Sequence, residues 1–395
     1  MKKIFYSLII LLPIFLLLGL IFSFTLSVYR IRHVDYEKIY LYLKDYLEKN
    51  KGDVSASVKE GALYIGYDYH IEHGSYKSLN RELFFNPLPD DYLVYVYGSS
   101  PIISKPPFFR GNFPFFPSVL EAKLNSAANK RNFKVFNFGM GSFDSFDIKD
   151  LIDKTVSIKK PDFIILYDCS ASDFECAYFN CVKKNFYFIN SFIKRLGALF
   201  VLKRAPRIGE LNRLADWFLR AYIEPNLLNM AQRAQLIRIP PEPFKKYNAL
   251  VFSFYKKNIY DIIRFAQDRK IPLVIITLLA NLESRPYGIY NITEACYRQG
   301  MREKDYLRRL DYLTQAKDSE IFTGDIGGPR TKVHDFLKSL REEGVYVLDL
   351  QKPLQEKQFD FSYKYFYDVG HMKPDLHKMI AQQLYEFLKG NNLLK

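Results

Sequence analysis

Ser100, Asp368 and His371 are the residues of this 395-residue chain whose types and spacing could run nucleophilic chemistry together. A serine hydroxyl attacks poorly until a base takes its proton, and an imidazole serves best when a carboxylate fixes its tautomer. Asp368 and His371 share one short segment, Asp368-Val369-Gly370-His371, so a single loop can fold the carboxylate onto the ring. Ser100 closes the triplet Gly98-Ser99-Ser100, directly after a β-rich apolar run at 93–97. The oxyanion that forms when an ester carbonyl is attacked also needs donors. The backbone N–H groups of Ser100 and Gly141 are the candidates, Gly141 because glycine lets the backbone approach a substrate closely.

These residues are far apart in the chain, so the elements between them must bring them together. Short apolar runs at 93–97, 134–137, 163–167, 273–277 and 346–350 alternate with helical stretches near 116–129, 145–158, 249–269, 331–343 and from Pro374 onward. Continuous apolar strands alternating with amphipathic helices predict a parallel sheet covered on both faces, here an α/β/α sandwich of five strands. In such a sheet ligands bind beyond the carboxyl ends of the strands. Ser99-Ser100, Gly139-Met140-Gly141, Ser170-Ala171-Ser172-Asp173 and the Asp368–His371 segment all follow strands, so topology predicts that they meet on one edge.

In order and spacing these segments resemble the signature blocks of the SGNH (GDSL-like) hydrolases. Tyr97-Gly98-Ser99-Ser100 is similar to the first block, which usually reads Gly-Asp-Ser, and Asn137-Phe138-Gly139-Met140-Gly141-Ser142 to the second, with Gly141 at the oxyanion glycine. The run Pro161-Asp162-Phe163-Ile164-Ile165-Leu166-Tyr167 resembles the strand before the third block, and Tyr367-Asp368-Val369-Gly370-His371 the last block, Asp-x-x-His. The resemblance covers roughly 92–173 and 249–389, and it implies a flavodoxin-like sandwich and a Ser100–His371–Asp368 triad. Two positions depart from the family. Ser99 stands where the first block often has Asp, and Asp168-Cys169-Ser170-Ala171-Ser172-Asp173 contains no Asn where the third block supplies an oxyanion donor. The hydroxyl of Ser170 or of Ser172 is the substitute. Asp168 and Asp173 compete for the acid role, while His334 reads as structural and His377 as a helix-surface residue.

Residues 4–28 form a mostly apolar run of 25 residues without a charge, preceded by Lys2 and Lys3. About 20 such residues cross a hydrocarbon core, and the exit Ser-Phe-Thr-Leu-Ser-Val is a poor cleavage site, so residues 1–30 read as an uncleaved signal anchor. The basic N-terminus places the bulk of the chain outside the cytoplasm. Residues 31–90 read as a membrane-proximal region, with a helix at 36–50 and then a turn-rich surface stretch. There His70 and His73 lack a third ligand for a metal. Residues 91–390 form the catalytic domain, with insertions at 174–248 and 281–330. The apolar stretch 186–202 carries Lys194-Arg195 at its middle, which reads as an amphipathic helix rather than a second span.

The formal charge of +14 suits an anionic neighbour. Between Lys183 and Arg220 nine basic residues face two acidic ones. No nucleic-acid motif accompanies them, which argues against a nucleic-acid partner. The four cysteines form no paired CxxC, and nothing calls for a cofactor. The functional expectation is an esterase or O-acyltransferase acting on acyl esters, acetyl foremost, of an envelope polysaccharide or lipid. The alternative is a catalytically degenerate relative that binds carbohydrate or scaffolds an envelope complex.

Overall fold

The structure is a computed structural model. It describes residues 18–394 except 19–20, 23–24, 27, 30, 53, 72–74, 104–114, 128–130, 142, 179–180, 182–239, 287–290 and 320–329. Five parallel strands carry the fold: β4 (Asp91–Tyr97), β5 (Asn132–Asn137), β6 (Phe163–Tyr167), β7 (Leu273–Ile276) and β8 (Val345–Leu348), in the order β5-β4-β6-β7-β8. The sheet is buried on both faces because alternate residues of each strand enter different cores. Leu93, Tyr95 and Tyr97 of β4 and Ile164 and Leu166 of β6 pack on one side, while Val94, Val96, Phe163 and Ile165 pack on the other.

On the first side lie α4 (Ser145–Ile158), α6 (Pro241–Asp268) and α9 (Arg330–Ser339), and on the second α3 (Phe116–Ala127), α8 (Tyr306–Asp318) and α11 (Pro374–Gly390). The α4 helix starts where the sequence marks it: Asp144 accepts from the N–H groups of Phe146 and Asp147, and Asp147 reaches back in a capping box. Pro374 opens α11 at its first turn, where a missing N–H costs no hydrogen bond. The three-layer α/β/α architecture with five parallel strands is as the sequence predicts.

Two stretches differ from expectation. Residues 54–84, read as turn-rich surface, are a three-stranded antiparallel meander, β1 (Val54–Lys59), β2 (Ala62–Ile71) and β3 (Ser75–Phe84). Its alternation is weak because the buried Val54, Leu63 and Ile65 are interleaved with Ser, Tyr and Gly rather than with charges. His70 lies within β2, while His73 is outside the described residues. The second insertion likewise contains α7 (Asn291–Arg302) and α8, and α6 begins eight residues before the expected Ala249. The helix at 36–50 is α1 (Tyr36–Lys49), capped by Asp35, which accepts from the Lys38 N–H at 2.9 Å.

Among the described residues no helix is long and apolar enough to cross a membrane. Most of the apolar run 4–28 lies outside the described residues, as does all of 186–202.

Candidate active site

The carboxyl ends of β4, β5 and β6 and the loop between β8 and α11 hold the segments that the sequence singles out, and a chain of contacts joins them. Beyond β5, Phe138 N–H donates to Val96 O (2.8 Å) and Met140 N–H to Gly98 O (3.1 Å), so this loop runs alongside the end of β4. Ser100 opens the short helix α2 (Ser100–Ile103) at that end and is half-buried. Asn137 ties the two together, since its amide donates to Ile102 O at 3.3 Å while its carbonyl oxygen accepts from Gly139 N–H at 2.9 Å. Gly139 must be glycine here, because a Cβ would stand 2.3 Å from Ile102 Cγ1. A Cβ on Gly141, by contrast, would meet no described residue within 4 Å.

Tyr167, the last residue of β6, reaches both arms of the site. Its backbone and Cβ lie against Gly98, at 3.1 Å from where a Cβ would be. Its hydroxyl accepts from Leu279 N–H at 3.2 Å and lies 3.7 Å from the sulfur of Met372, the residue after His371. The loop 366–372 is pinched shut by a bridge between Phe366 and Met372 and by Tyr367 N–H donating to His371 O. Asn281, fully buried beyond β7, fastens that loop to the edge: its N–H donates to Val369 O (2.9 Å) and its amide to Asp368 O (3.2 Å).

Inside the loop, Asp368 Oδ1 accepts from the N–H groups of Gly370 (2.9 Å) and His371 (2.8 Å), and Oδ2 lies 2.6 Å from His371 Nδ1. A carboxylate at that distance holds the proton on Nδ1 and leaves Nε2 as the basic nitrogen. Burial pushes the Asp368 carboxyl up. The hydrogen bond and charge of His371, with the two N–H donors, outweigh it and hold the group below its usual range. His371 and Asp368 keep 28% and 43% of their side-chain surface, so the pair sits at the rim where a substrate can reach it.

Of the other sequence candidates, Asp168, Ser170 and Asp173 are engaged elsewhere. Asp168 accepts from Ser170 N–H (2.8 Å), the Ser170 hydroxyl (3.1 Å) and the Tyr255 hydroxyl (2.8 Å). That contact occupies Ser170. Ser172 is buried on the first turn of α5 (Ser170–Ala177), and its hydroxyl makes no hydrogen bond to a described residue. Asp173 takes both the N–H and the hydroxyl of Ser145. Burial pushes Asp168 up, Asp173 well up, and Asp144 up to about 6. His377 is not on the helix surface: it is 1% exposed, and its Nδ1 accepts from Phe116 N–H at 3.3 Å. Its expectation failed because the face of α11 that carries Leu376 and Ile380 turns inward onto α3 and takes His377 with it. His334 is buried as well.

Asn137, Tyr167 and Asn281 were not read as positioning residues. Each is an ordinary residue type at a strand end, and only its partners reveal the role.

No protein-family model matches the sequence, and no curated protein matches it. Among solved structures the chain is similar to a protein described as a lipolytic protein of the G-D-S-L family from Desulfitobacterium hafniense, at 12% identity over 75% of this chain and 100% of that one (TM-score 0.36). It is similar to a catalytic mutant of an acetylxylan esterase from Geobacillus stearothermophilus, at 10% identity over 76% and 95% (TM-score 0.36). A third is a lipase/acylhydrolase from Enterococcus faecalis, at 12% over 76% and 96% (TM-score 0.30). The architecture stated above rests on the strand order and register of the chain itself.

Proposed function

We propose that the chain is a serine ester hydrolase or O-acyltransferase, with Ser100 as nucleophile, His371 as general base and Asp368 as the group that orients it. Ser100 Oγ attacks the ester carbonyl while His371 Nε2 takes its proton. The N–H groups of Ser100 and Gly141 and the Ser172 hydroxyl receive the oxyanion. The intermediate collapses as His371 returns the proton to the departing alcohol, which leaves acyl-Ser100. Water then gives a hydrolase, and a sugar or lipid hydroxyl gives a transferase. The substrate class is an envelope polysaccharide or lipid bearing acyl esters, acetyl foremost, which the basic surplus of the chain suits.

One observation carries this reading: the 2.6 Å His371–Asp368 contact lies in a loop hydrogen-bonded to Asn281 beyond β7, on the sheet edge at which the Ser100 helix begins. The test is labelling with a fluorophosphonate probe. The expected result is a label that Ser100→Ala removes while the variant keeps its thermal unfolding transition. Folded parent protein that takes no Ser100-dependent label, and hydrolyses no p-nitrophenyl acetate, is instead a degenerate carbohydrate-binding or scaffolding relative.

A further inference from the structure

The α6 helix is far longer than the sheet is high. Its Ala266 O accepts from Ile271 N–H at the amino start of β7, and its Tyr255 hydroxyl reaches Asp168 just past the carboxyl end of β6. The segment from Ala266 back to Tyr255 therefore spans the sheet, and everything before Tyr255 overhangs the catalytic edge. From Tyr255 back to Pro241 the overhang is about 21 Å at 1.5 Å per residue.

The N-terminal part of the chain docks on that overhang. The Tyr247 hydroxyl donates to Tyr36 O at 2.6 Å, Phe244 packs edge-on against Tyr36 at 6.1 Å, and Tyr247 stacks on Tyr40 at 6.3 Å. Tyr247 stands about 12 Å beyond Tyr255 along the helix. From there α1 descends to the edge, where the Asn50 amide meets Asp144 at 3.3 Å. Asn258, one turn below Tyr255, marks the same level by its contact with Ser145. The chain upstream of Tyr36 thus departs from above the catalytic edge, not from the opposite one.

Its first residues are packed. Ile31 is 2% exposed and Val28 packs on the same core, while upstream the Thr25 hydroxyl donates to Ile21 O at 2.9 Å. Leu18, Ile21 and Phe22 are more than half exposed there, on the uncharged stretch 4–28 that ends at the docking point. An uncharged stretch of that length matches a hydrocarbon core, for which about 20 residues suffice.

We infer that a lipid bilayer covers this apolar segment and that the catalytic edge faces it, so the substrate class is acyl esters carried by lipids of the same membrane. The substrate half rests on the hydrolase reading above, while the orientation half stands on the overhang alone. A site on the edge above which the chain docks, about 12 Å beyond Tyr255 along the helix axis, favours membrane-borne esters over freely diffusing ones.

The test uses the full chain reconstituted in phosphatidylcholine–phosphatidylglycerol vesicles containing a headgroup-nitroxide lipid. One fluorophore is placed at Lys246→Cys, exposed on the overhang, and another at Lys160→Cys, exposed at the amino edge before β6. The parent chain supplies the background of native cysteines. The expected result is that the label at 246 loses most of its fluorescence and the label at 160 keeps it. Equal loss, the reverse order, or a chain that pairs with a second copy and does not float with vesicles overturns the orientation. In the same vesicles, Ser100-dependent turnover of a lipid-borne acetyl ester is expected to exceed that of dissolved p-nitrophenyl acetate. Ser100-dependent turnover without that preference overturns the substrate half alone. No Ser100-dependent turnover of either ester sinks the hydrolase reading and leaves the quenching to decide the orientation.

Discussion

The rim and the interior of the same sheet edge treat acids and histidines in opposite ways. At the rim, Asp368 is held below its usual range and lies 2.6 Å from His371, and both keep part of their surface. A few residues inward, burial pushes Asp144, Asp168 and Asp173 up, and it pushes His377 down to about 4 and His334 down to about 3. The rim pair is arranged to carry charge. The interior groups are arranged to avoid it and to serve as hydrogen-bonding partners for Ser145, Ser170, Tyr255 and the start of α3. Depth and donors, rather than residue type, therefore separate an acid held charged from one held neutral.

The sharpest way to break this contrast is to neutralise one acid from each region. Asp368→Asn is expected to lower turnover on the order of 10⁴-fold, the size of effect known for a triad orienter, because the amide supports the wrong tautomer. Asp173→Asn should leave turnover at the parent's order of magnitude and change the pH dependence of stability instead. Asp144 and Asp173 bind protons more tightly folded than unfolded. Their contribution is full below about pH 4 and is lost as pH rises, through about 6 for Asp144. Urea melts across pH 4–8 should show that loss reduced in Asp173→Asn. Equal turnover losses in the two variants would erase the distinction.

The two serines sharpen it next. Ser172→Ala is expected to lower kcat by about 10²–10³-fold, as for a lost oxyanion donor. Ser170→Ala, whose hydroxyl serves Asp168, should change melting temperature far more than kcat. The smallest effect belongs to His377. Its folded pKa is depressed, so its contribution is full above about 6.5 and is lost as pH falls towards 4. His377→Gln keeps an acceptor for Phe116 N–H without titrating, and should flatten acid destabilisation in that window by at most about 1.4 kcal/mol per pH unit.

Much of this was readable from residue order alone. The apolar runs at the future strands are short and uninterrupted, and Asp144 and Pro374 mark helix starts, so the five-stranded sandwich was legible. The placement of Ser100 directly after β4 and of Gly141 in the loop after β5 was legible for the same reason. The meander was not legible, since Tyr and Ser between Val54, Leu63 and Ile65 blur a period of two. Nor was the inward turn of His377, because a histidine one position from an apolar face carries no sign of which way the helix will roll. Tyr167 and Asn281 were hidden for a simpler reason: their roles exist only through partners distant in sequence, Gly98, Leu279 and Met372 for the one and Asp368 and Val369 for the other.

Gly139 carries a consequence for how this site can change over time. Bare backbone at that position is the seat on which Ile102, and with it the helix that begins at Ser100, rests. Any side chain there would have to displace the Ile102 side chain, within the short helix that begins at Ser100, and crowd the Asn137 side-chain oxygen. Substitution at this position is therefore resisted by packing, with no chemical group altered. At Gly141, on the neighbouring turn, an added Cβ meets no described residue within 4 Å, so change is accommodated there more readily.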